Sequence, residues 1–312
     1  MKFPVFDLHC DTADLLVPTG EMEGAALYSN NFHIDLERAK KLPGYAQCFA
    51  CFTTYSKVNP VDTFEKKFIS VLSEIAKNEQ LIHHVFNAQE IEENRQKGIM
   101  SAILTIEGPA GFGFDPALLE DLYNVGFRMS TLGWNEKNPL TGSHITGGGL
   151  TDLGRAYVKQ AQQLGMIIDV SHISDEGFWD IIDVTQAPIV ASHSNSRKVC
   201  DHTRNLTDDM FLEICKTGGV AGINLYTDFL GQNATIDTAC DHIFHFLELD
   251  PTGKHIALGG DLDGCDSLPE GVQGIQDYPA LADRLLERGL AEDMVYNIFW
   301  NNALEVFKRC CI

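Results

Sequence analysis

The sequence predicts an α/β fold, a single (β/α)8 TIM barrel spanning residues 1–312. Three observations predict it. Short apolar runs alternate with longer amphipathic stretches along almost the whole chain. Several short runs, such as Ile103-Leu104-Thr105-Ile106 and Ile167-Ile168-Asp169-Val170, are apolar on both faces, as parallel strands covered by helices must be. A length of 312 residues accommodates one barrel of ~250 residues plus insertions. A doubly wound parallel sheet is the structural alternative.

Eight runs read as strands: Phe3–His9, Ala46–Phe52, Ser101–Glu107, Phe127–Gly133, Met166–His172, Ile189–His193, Gly219–Tyr226 and His255–Asp261. Helical patterns lie between most of them, at Pro60–Lys77, Pro116–Tyr123, Asp152–Leu164, Asp175–Val184, Asp208–Lys216 and Ile236–Leu249. Two more, Tyr278–Arg288 and Glu292–Lys308, follow the last strand. Thr151-Asp152, Ser174-Asp175 and Thr207-Asp208 supply helix N-caps, whose side-chain oxygens accept from the first free backbone N–H groups. The Gly/Thr/Asn-rich loop Asn135–Leu150 is longer than most connections, and such loops carry function. No linker, internal repeat or low-complexity tract divides the chain.

Composition narrows the function. With 44% hydrophobic and 21% charged residues, the chain is not of disordered type. Its 44 acidic and 23 basic residues give a formal charge of −21. That field repels phosphate backbones and anionic lipid, so neither nucleic acid nor membrane is an expected partner. No run reaches the ~18 apolar residues of a membrane span. The stretch Met1–His9 lacks a leader's apolar core, and the expectation is a cytoplasmic chain whose nine cysteines stay reduced. Cys48 and Cys51 have CxxC spacing, but they sit inside an apolar strand-like run with no second pair, so they read as buried thiols.

Barrel active sites form at the C-terminal ends of the strands. Five of the eight predicted strands deliver ligand-type residues to that rim. They end in His9-Cys10-Asp11, Glu107-Gly108, Asp169-Val170-Ser171-His172, Ser192-His193-Ser194 and Gly259-Gly260-Asp261-Leu262-Asp263-Gly264. Residues two apart in a strand share a face, so His9 and Asp11 are expected to grip one ion together. Imidazole and carboxylate suit Zn²⁺, Mn²⁺ or Fe²⁺. Each piece alone has a bland reading: a solvated His-x-Asp pair, a strand-end glutamate, a satisfied core histidine. Together, without a cation, they would crowd desolvated charges at one rim, which favours a metal centre. His33, His83, His84, His202, His242, His245 and His255 fall in loops, helices or strand starts and read as surface or packing residues. His144 is the exception, since its long loop can reach the rim.

The ordered set Asp7-Leu8-His9-Cys10-Asp11-Thr12, Ile106-Glu107-Gly108, Asp169-Val170-Ser171-His172-Ile173-Ser174, Ala191-Ser192-His193-Ser194, Thr203-Arg204-Asn205-Leu206 and Gly259-Gly260-Asp261-Leu262-Asp263-Gly264 resembles the membrane (renal) dipeptidase family, peptidase family M19, among the amidohydrolase-like metal-dependent hydrolase barrels. The resemblance implies two Zn²⁺ per chain, with another divalent metal as an alternative. It implies that His9 and Asp11 hold the first, His172 and His193 the second, and Glu107 both. It implies Asp261 as the catalytic carboxylate, with Asp263 nearby on the substrate side and second in line for that role. Arg204 would receive the substrate's C-terminal carboxylate, and Tyr226 would line the pocket. Trp134 stands where the better-known mammalian-type members carry a histidine; it offers one N–H donor or a wall and cannot titrate.

The activity so implied is hydrolysis of dipeptides with free amino and carboxyl termini, including L-Xaa-D-Xaa, by a metal-bridging hydroxide in a homodimer. Two other readings are carried with it. One is a different metal-dependent amidohydrolase acting on N-acyl amino acids or cyclic amides. The other is a catalytically silent small-molecule-binding barrel, with Trp134 as its lesion.

Overall fold

Nine parallel strands are found among the described residues of the computed structural model, which are 2–18, 24–56 and 59–311. They are β1 (Val5–Cys10), β2 (Tyr45–Phe52), β3 (Ile82–His84), β4 (Met100–Glu107), β5 (Phe127–Thr131), β6 (Ile167–Asp169), β7 (Ile189–Ala191), β8 (Val220–Ile223) and β9 (Ile256–Leu258). Met1, where the reading for a leader began, and Ile312, the last residue of the one-domain assignment, lie outside the described residues. Eight strands close a barrel in the order β1-β2-β4-β5-β6-β7-β8-β9, with β9 pairing back to β1. The extra strand, β3, pairs with Met100–Ala102 at the start of β4, below the point where β5 joins at Leu104. Its sequence, Ile82-His83-His84, is too short and too polar to carry a period.

Every barrel strand sends a side chain into one interior cluster: Phe6 and Leu8, Ala46 and Cys48, Ile103, Met129, Ile167, Val190, Val220 and Ala257. The chain's last helix, Asn302–Cys310, and the turn before it plug the base of this interior. The rings of Trp300 and Phe307 lie 5.8 and 5.2 Å from Phe6. Burying an aromatic or branched side chain contributes ~1.5–3 kcal/mol, so this plug is a principal stabiliser of the base. Residues pointing the other way, such as Phe49, Leu104, Ile106, Ile168 and Ile223, pack beneath the outer helices. Cys48 belongs to the inner cluster and Cys51 to the outer, and none of the nine cysteines forms a disulfide.

The N-caps act as the sequence indicates. Thr151, Ser174 and Thr207 accept from the N–H groups of Gly154, Gly177 and Met210. One helical expectation changes and one unexpected helix appears. The stretch Glu292–Lys308 is interrupted by a π turn at Asn297–Asn301, which buries Ile298, Phe299 and Trp300 together. The helix Ala88–Lys97 escapes a pattern reading because only Ala88, Ile91 and Asn94 of its ten residues are buried. No helix among the described residues is long and apolar enough to cross a membrane.

The barrel strands also stop earlier than expected. β6 ends at Asp169, β7 at Ala191 and β9 at Leu258. His172, His193 and Asp261 therefore stand in the loops just above the strands. His172 and Asp261 take φ values of +69° and +56°, a left-handed conformation that non-glycine residues rarely adopt. Such backbone costs of order 1–3 kcal/mol and persists where packing over-determines it, often at a functional site.

Candidate metal centre

The rim above the barrel gathers His9, Glu107, His172, His193 and Asp261, all buried, and the partly exposed Asp11 into one patch. His9 owes its direction to a bulge. Asp7 pairs with Gln47 and Cys10 with Phe49, so three residue steps of β1 match two of β2. Leu8 and His9 consequently both face the interior, whereas plain alternation would separate them. Asp11 lies beyond β1, at the start of the helix Thr12–Leu16. The two therefore meet through a bulge and a helix start, a correction to the shared-face expectation. Their closest approach is His9 Nε2 to Asp11 Oδ2, 3.5 Å.

Glu107, the last residue of β4, stands between the two halves of the site. One oxygen lies 3.6 Å from His9 Nε2; the other is 3.0 Å from His172 Nε2 and 4.0 Å from His193 Nε2. Asp261 Oδ1 lies 3.8 Å from His9 Nε2, and its Oδ2 accepts from Asn224 Nδ2 at 3.0 Å. Three overlapping sets each bring their ligand atoms within 4.8 Å: His9-Asp11-Glu107, Glu107-His172-His193 and His9-His193-Asp261.

The residues around these groups fix ring tautomers. His193 Nδ1 lies 2.6 Å from Ser192 Oγ, and Ser192 Oγ donates to Asp169 Oδ2 at 2.5 Å. The hydroxyl's proton is thus committed to Asp169, so His193 carries its proton on Nδ1 and has a lone pair on Nε2. His172 Nδ1 donates to Asn135 Oδ1 at 2.8 Å, which also frees its Nε2. Those two Nε2 atoms are 3.0 Å apart. Two nitrogen lone pairs at that separation repel unless a cation lies between them and Glu107. His9 Nε2 and Asp11 Oδ1 are buried with no hydrogen-bond partner. Gly264 keeps the space clear, because a Cβ there would lie 2.0 Å from Asp11 Oδ2 and 2.6 Å from Asp261 Oδ1. The donor set, the orphaned atoms and the cleared space fit a divalent cation centre with nitrogen and carboxylate ligands.

Electrostatics agree. Burial raises the Glu107 carboxyl, and Asp11 raises it further. Burial also raises Asp261. Burial opposes charge on His9, but Glu107, Asp11 and Asp261 prevail and lift it to about 10. Burial drives His172 and His193 well below the usual range, assisted by Arg204 and by the other imidazoles. Groups pushed this far from their ordinary values mark functional sites, and a divalent cation removes the repulsion that shifts them.

Asp7 and Asp169 perform matching structural jobs beneath the patch. Asp7 accepts from the N–H groups of His9 and Gly260 and from the Tyr278 hydroxyl, tying β1 to the loop after β9. Asp169 accepts from the N–H groups of Ser171 and Ser192, tying the loops after β6 and β7.

Arg204 is buried against this patch. Its Nη atoms lie 3.3 Å from Ser194 Oγ and 3.4 Å from the His193 carbonyl, and Phe229 covers it at 5.2 Å. Its Nε is buried without a partner. Trp134 is half-buried between Phe52 and His172, at 5.0 and 6.3 Å between ring centres. Tyr226 packs edge-on against Phe229 at 4.9 Å. Asp263 turns away from the cluster: its carboxylate accepts from the Thr12 hydroxyl at 2.7 Å and the His33 N–H at 2.6 Å. His144 reaches the rim, with Nε2 2.9 Å from Asn135 Oδ1 and Nδ1 2.8 Å from Thr203 Oγ1. Asn135 and Asn224 are polar partners absent from the expected site residues, and Ser192, part of an expected strand end, orients His193 and is not itself a ligand. Their signal was position, since each lies within one or two residues of a predicted strand end.

A parallel barrel with a carboxylate–imidazole cradle at its C-terminal rim defines the class of metal-dependent barrel hydrolases. The sequence profile of the membrane dipeptidase family (peptidase family M19) matches residues 1–310, and the chain belongs to that family. An uncharacterised dipeptidase of Schizosaccharomyces pombe is 37% identical over 216 residues, 67% of this chain and 53% of that protein. The chain spans about half the length of the two Schizosaccharomyces pombe relatives it matches, 53% and 54%. An uncharacterised protein from the pqqA 5′ region of Klebsiella pneumoniae is 31% identical over 266 residues, 80% of this chain and 97% of that protein. The fold matches a metallo peptidase from Rhodobacter sphaeroides, solved with a phosphinate mimic of L-Ala-D-Ala, at TM-score 0.87 and 23% identity, over 99% of this chain and 100% of that one.

Proposed function

We propose that this chain is a metal-dependent dipeptidase that hydrolyses the peptide bond of dipeptides with free amino and carboxyl termini. The observation that carries the reading is the buried guanidinium of Arg204 beside a cradle of three imidazoles and three carboxylates. A fixed cation for a carboxylate, set at one distance from a hydrolytic centre, selects substrates by length.

His9 and Asp11 would hold one Zn²⁺ and His172 and His193 the other, with Glu107 between them and Asp261 on the His9 side. Bound there, two such ions lower the pKa of a water toward ~7 and polarise a carbonyl. The chain's own residues do the rest. Asp261, held by Asn224, takes the attacking water's proton and returns it to the leaving amine, a contribution of ~10²–10⁴-fold. Arg204 receives the α-carboxylate through its planar fork, and Phe229 and Ser194 hold that fork in place. Trp134 beside His172, and Tyr226 against the Phe229 that covers Arg204, would line the substrate pocket, and Asp263 steadies the loop that carries Asp261 through its bonds to Thr12 and His33. The free α-amine would lie near the Asp11 and Asp261 carboxylates. L-Xaa-D-Xaa substrates enter the proposal through the Rhodobacter sphaeroides fold neighbour, whose ligand is a mimic of L-Ala-D-Ala.

The test is amino acid release from L-Ala-L-Ala and L-Ala-D-Ala by zinc-loaded and chelator-treated protein. Chelator-sensitive cleavage is expected. Cleavage that survives complete metal removal would overturn the reading.

A further inference from the structure

A second set of soft and hard donors converges at the opposite end of the barrel. Cys215 lies in the last turn of the helix Asp208–Thr217, Asp250 ends the helix Ile236–Leu249, and His255 immediately precedes β9. All three stand where helices return to the strand starts, away from the rim described above. One ligand atom from each lies within 4.8 Å of the other two. We infer that Cys215, Asp250 and His255 form a separate binding site for a zinc-type divalent cation at the base of the barrel.

The backbone explains why they meet. Gly218 caps the first helix in a left-handed conformation at φ +80°, and the chain turns straight into β8. That turn presents the Gly219 carbonyl to His255, whose Nδ1 lies 2.7 Å from it. A carbonyl only accepts, so His255 carries its proton on Nδ1 and has a lone pair on Nε2. This is the arrangement that metal-binding histidines use, with the second ring nitrogen donating to a backbone carbonyl. The Asp250 carboxylate is oriented as well, by the N–H and hydroxyl of Thr252 at 3.1 and 2.7 Å. Two of the three donors are therefore held in fixed orientations.

The helix ends and Asp250 add negative charge beside the three donors. Two helix C-termini, each a partial negative charge, converge here. The last turn of the helix Ile236–Leu249 holds no basic residue and Lys216 in the other helix pairs with Glu213, while Arg309 donates to the Gly218 carbonyl at that helix's end, 3.2 Å away, and leaves the Asp250 carboxylate to the site. Burial, then Asp250, pushes the Cys215 thiol up to about 12. A thiol in that state is a poor nucleophile, so a cysteine-based catalytic site is not the reading the surroundings support. A cation reverses the sign: it binds the thiolate, neutralises Asp250 and uses the His255 lone pair. Thiolate, imidazole and carboxylate together favour Zn²⁺ among common divalent ions, with a fourth position open to water. Bound there, it would tie two helices to β9.

Cobalt titration of metal-free full-length protein tests this without reference to activity. The upper cluster has only nitrogen and oxygen donors, so a thiolate-to-cobalt charge-transfer band reports a cysteine ligand. The expected result is such a band in wild type and in Glu107→Ala, and its loss in Cys215→Ser. His255→Ala should weaken cobalt binding at this band by more than the ~10–100-fold typical of losing an outer partner, which keeps the test valid if the serine variant misfolds. Failure of the dipeptidase proposal would leave the band in place. Absence of a sulfur band in folded wild type, or a band unchanged in Cys215→Ser, would overturn the inference.

Discussion

Asn135 Oδ1 accepts from His172 Nδ1 at 2.8 Å and from His144 Nε2 at 2.9 Å, so one amide oxygen orients a cradle imidazole and a loop histidine together. Thr203 completes the chain by donating to His144 Nδ1 at 2.8 Å. Burial and then Arg204 hold His144 near a pKa of about 3, so it is neutral and can accept that bond. Asn135→Ala should therefore loosen His172 without unfolding the barrel. Metal affinity is expected to fall ~10–100-fold, read by competition with a chelator, while thermal stability in excess metal stays near wild type. Unchanged affinity would remove Asn135 from the orienting role.

Glu107→Ala removes the carboxylate that faces both His9 and His172. Less than two zinc ions per chain and no dipeptide hydrolysis are expected, measured by metal analysis and amino acid release. A variant with two zinc ions and full activity would end the bridging assignment.

Arg204→Met keeps the buried stem and deletes the charge. KM for dipeptides should rise by roughly 10²-fold, in line with the ~1.5–3 kcal/mol of a hydrogen bond to a charged group, with bound zinc unchanged. Equal cleavage of a free dipeptide and its C-terminal amide by wild type would contradict the clamp.

Acid stability should carry a signature of His242. Burial holds this imidazole near a pKa of about 4, below the ordinary 6.5; its Nδ1 accepts from Ser196 N–H and its Nε2 donates to Leu230 O. The unfolded chain binds this proton at higher pH than the folded one. The histidine's favourable term is thus present above pH ~6.5 and lost as pH falls through ~4, at most about 3 kcal/mol. Denaturant unfolding of wild type and His242→Gln at pH 7 and pH 4 should show the gap between them narrowing by that order. A constant gap would contradict the assignment.

The barrel and most of its rim were legible because parallel strands buried on both faces leave continuous apolar runs, and because rim residues follow those runs directly. What escaped had physical reasons. A bulge leaves no mark in a sequence read with a strict period of two, so His9 and Asp11 meet by a route that this period does not show. Strands ending three residues early, as β9 does before Asp261, turn a strand-end residue into a left-handed loop residue. Asp263 shares the motif and the left-handed backbone of Asp261, but its carboxylate is taken by the Thr12 hydroxyl and the His33 N–H, partners that the motif does not reveal. His255 read as a strand start because Cys215 and Asp250, its spatial neighbours, lie on other elements.

The most direct measurement of the central claim is kcat/KM of the zinc-loaded chain for L-Ala-D-Ala beside N-acetyl-L-Ala-D-Ala and L-Ala-D-Ala amide. Chelator-sensitive hydrolysis of the unblocked dipeptide and strong discrimination against both blocked forms are expected. Comparable cleavage of the acetylated substrate would point to a broader amidohydrolase. No cleavage with two zinc ions bound would contradict the dipeptidase account and turn attention to Trp134.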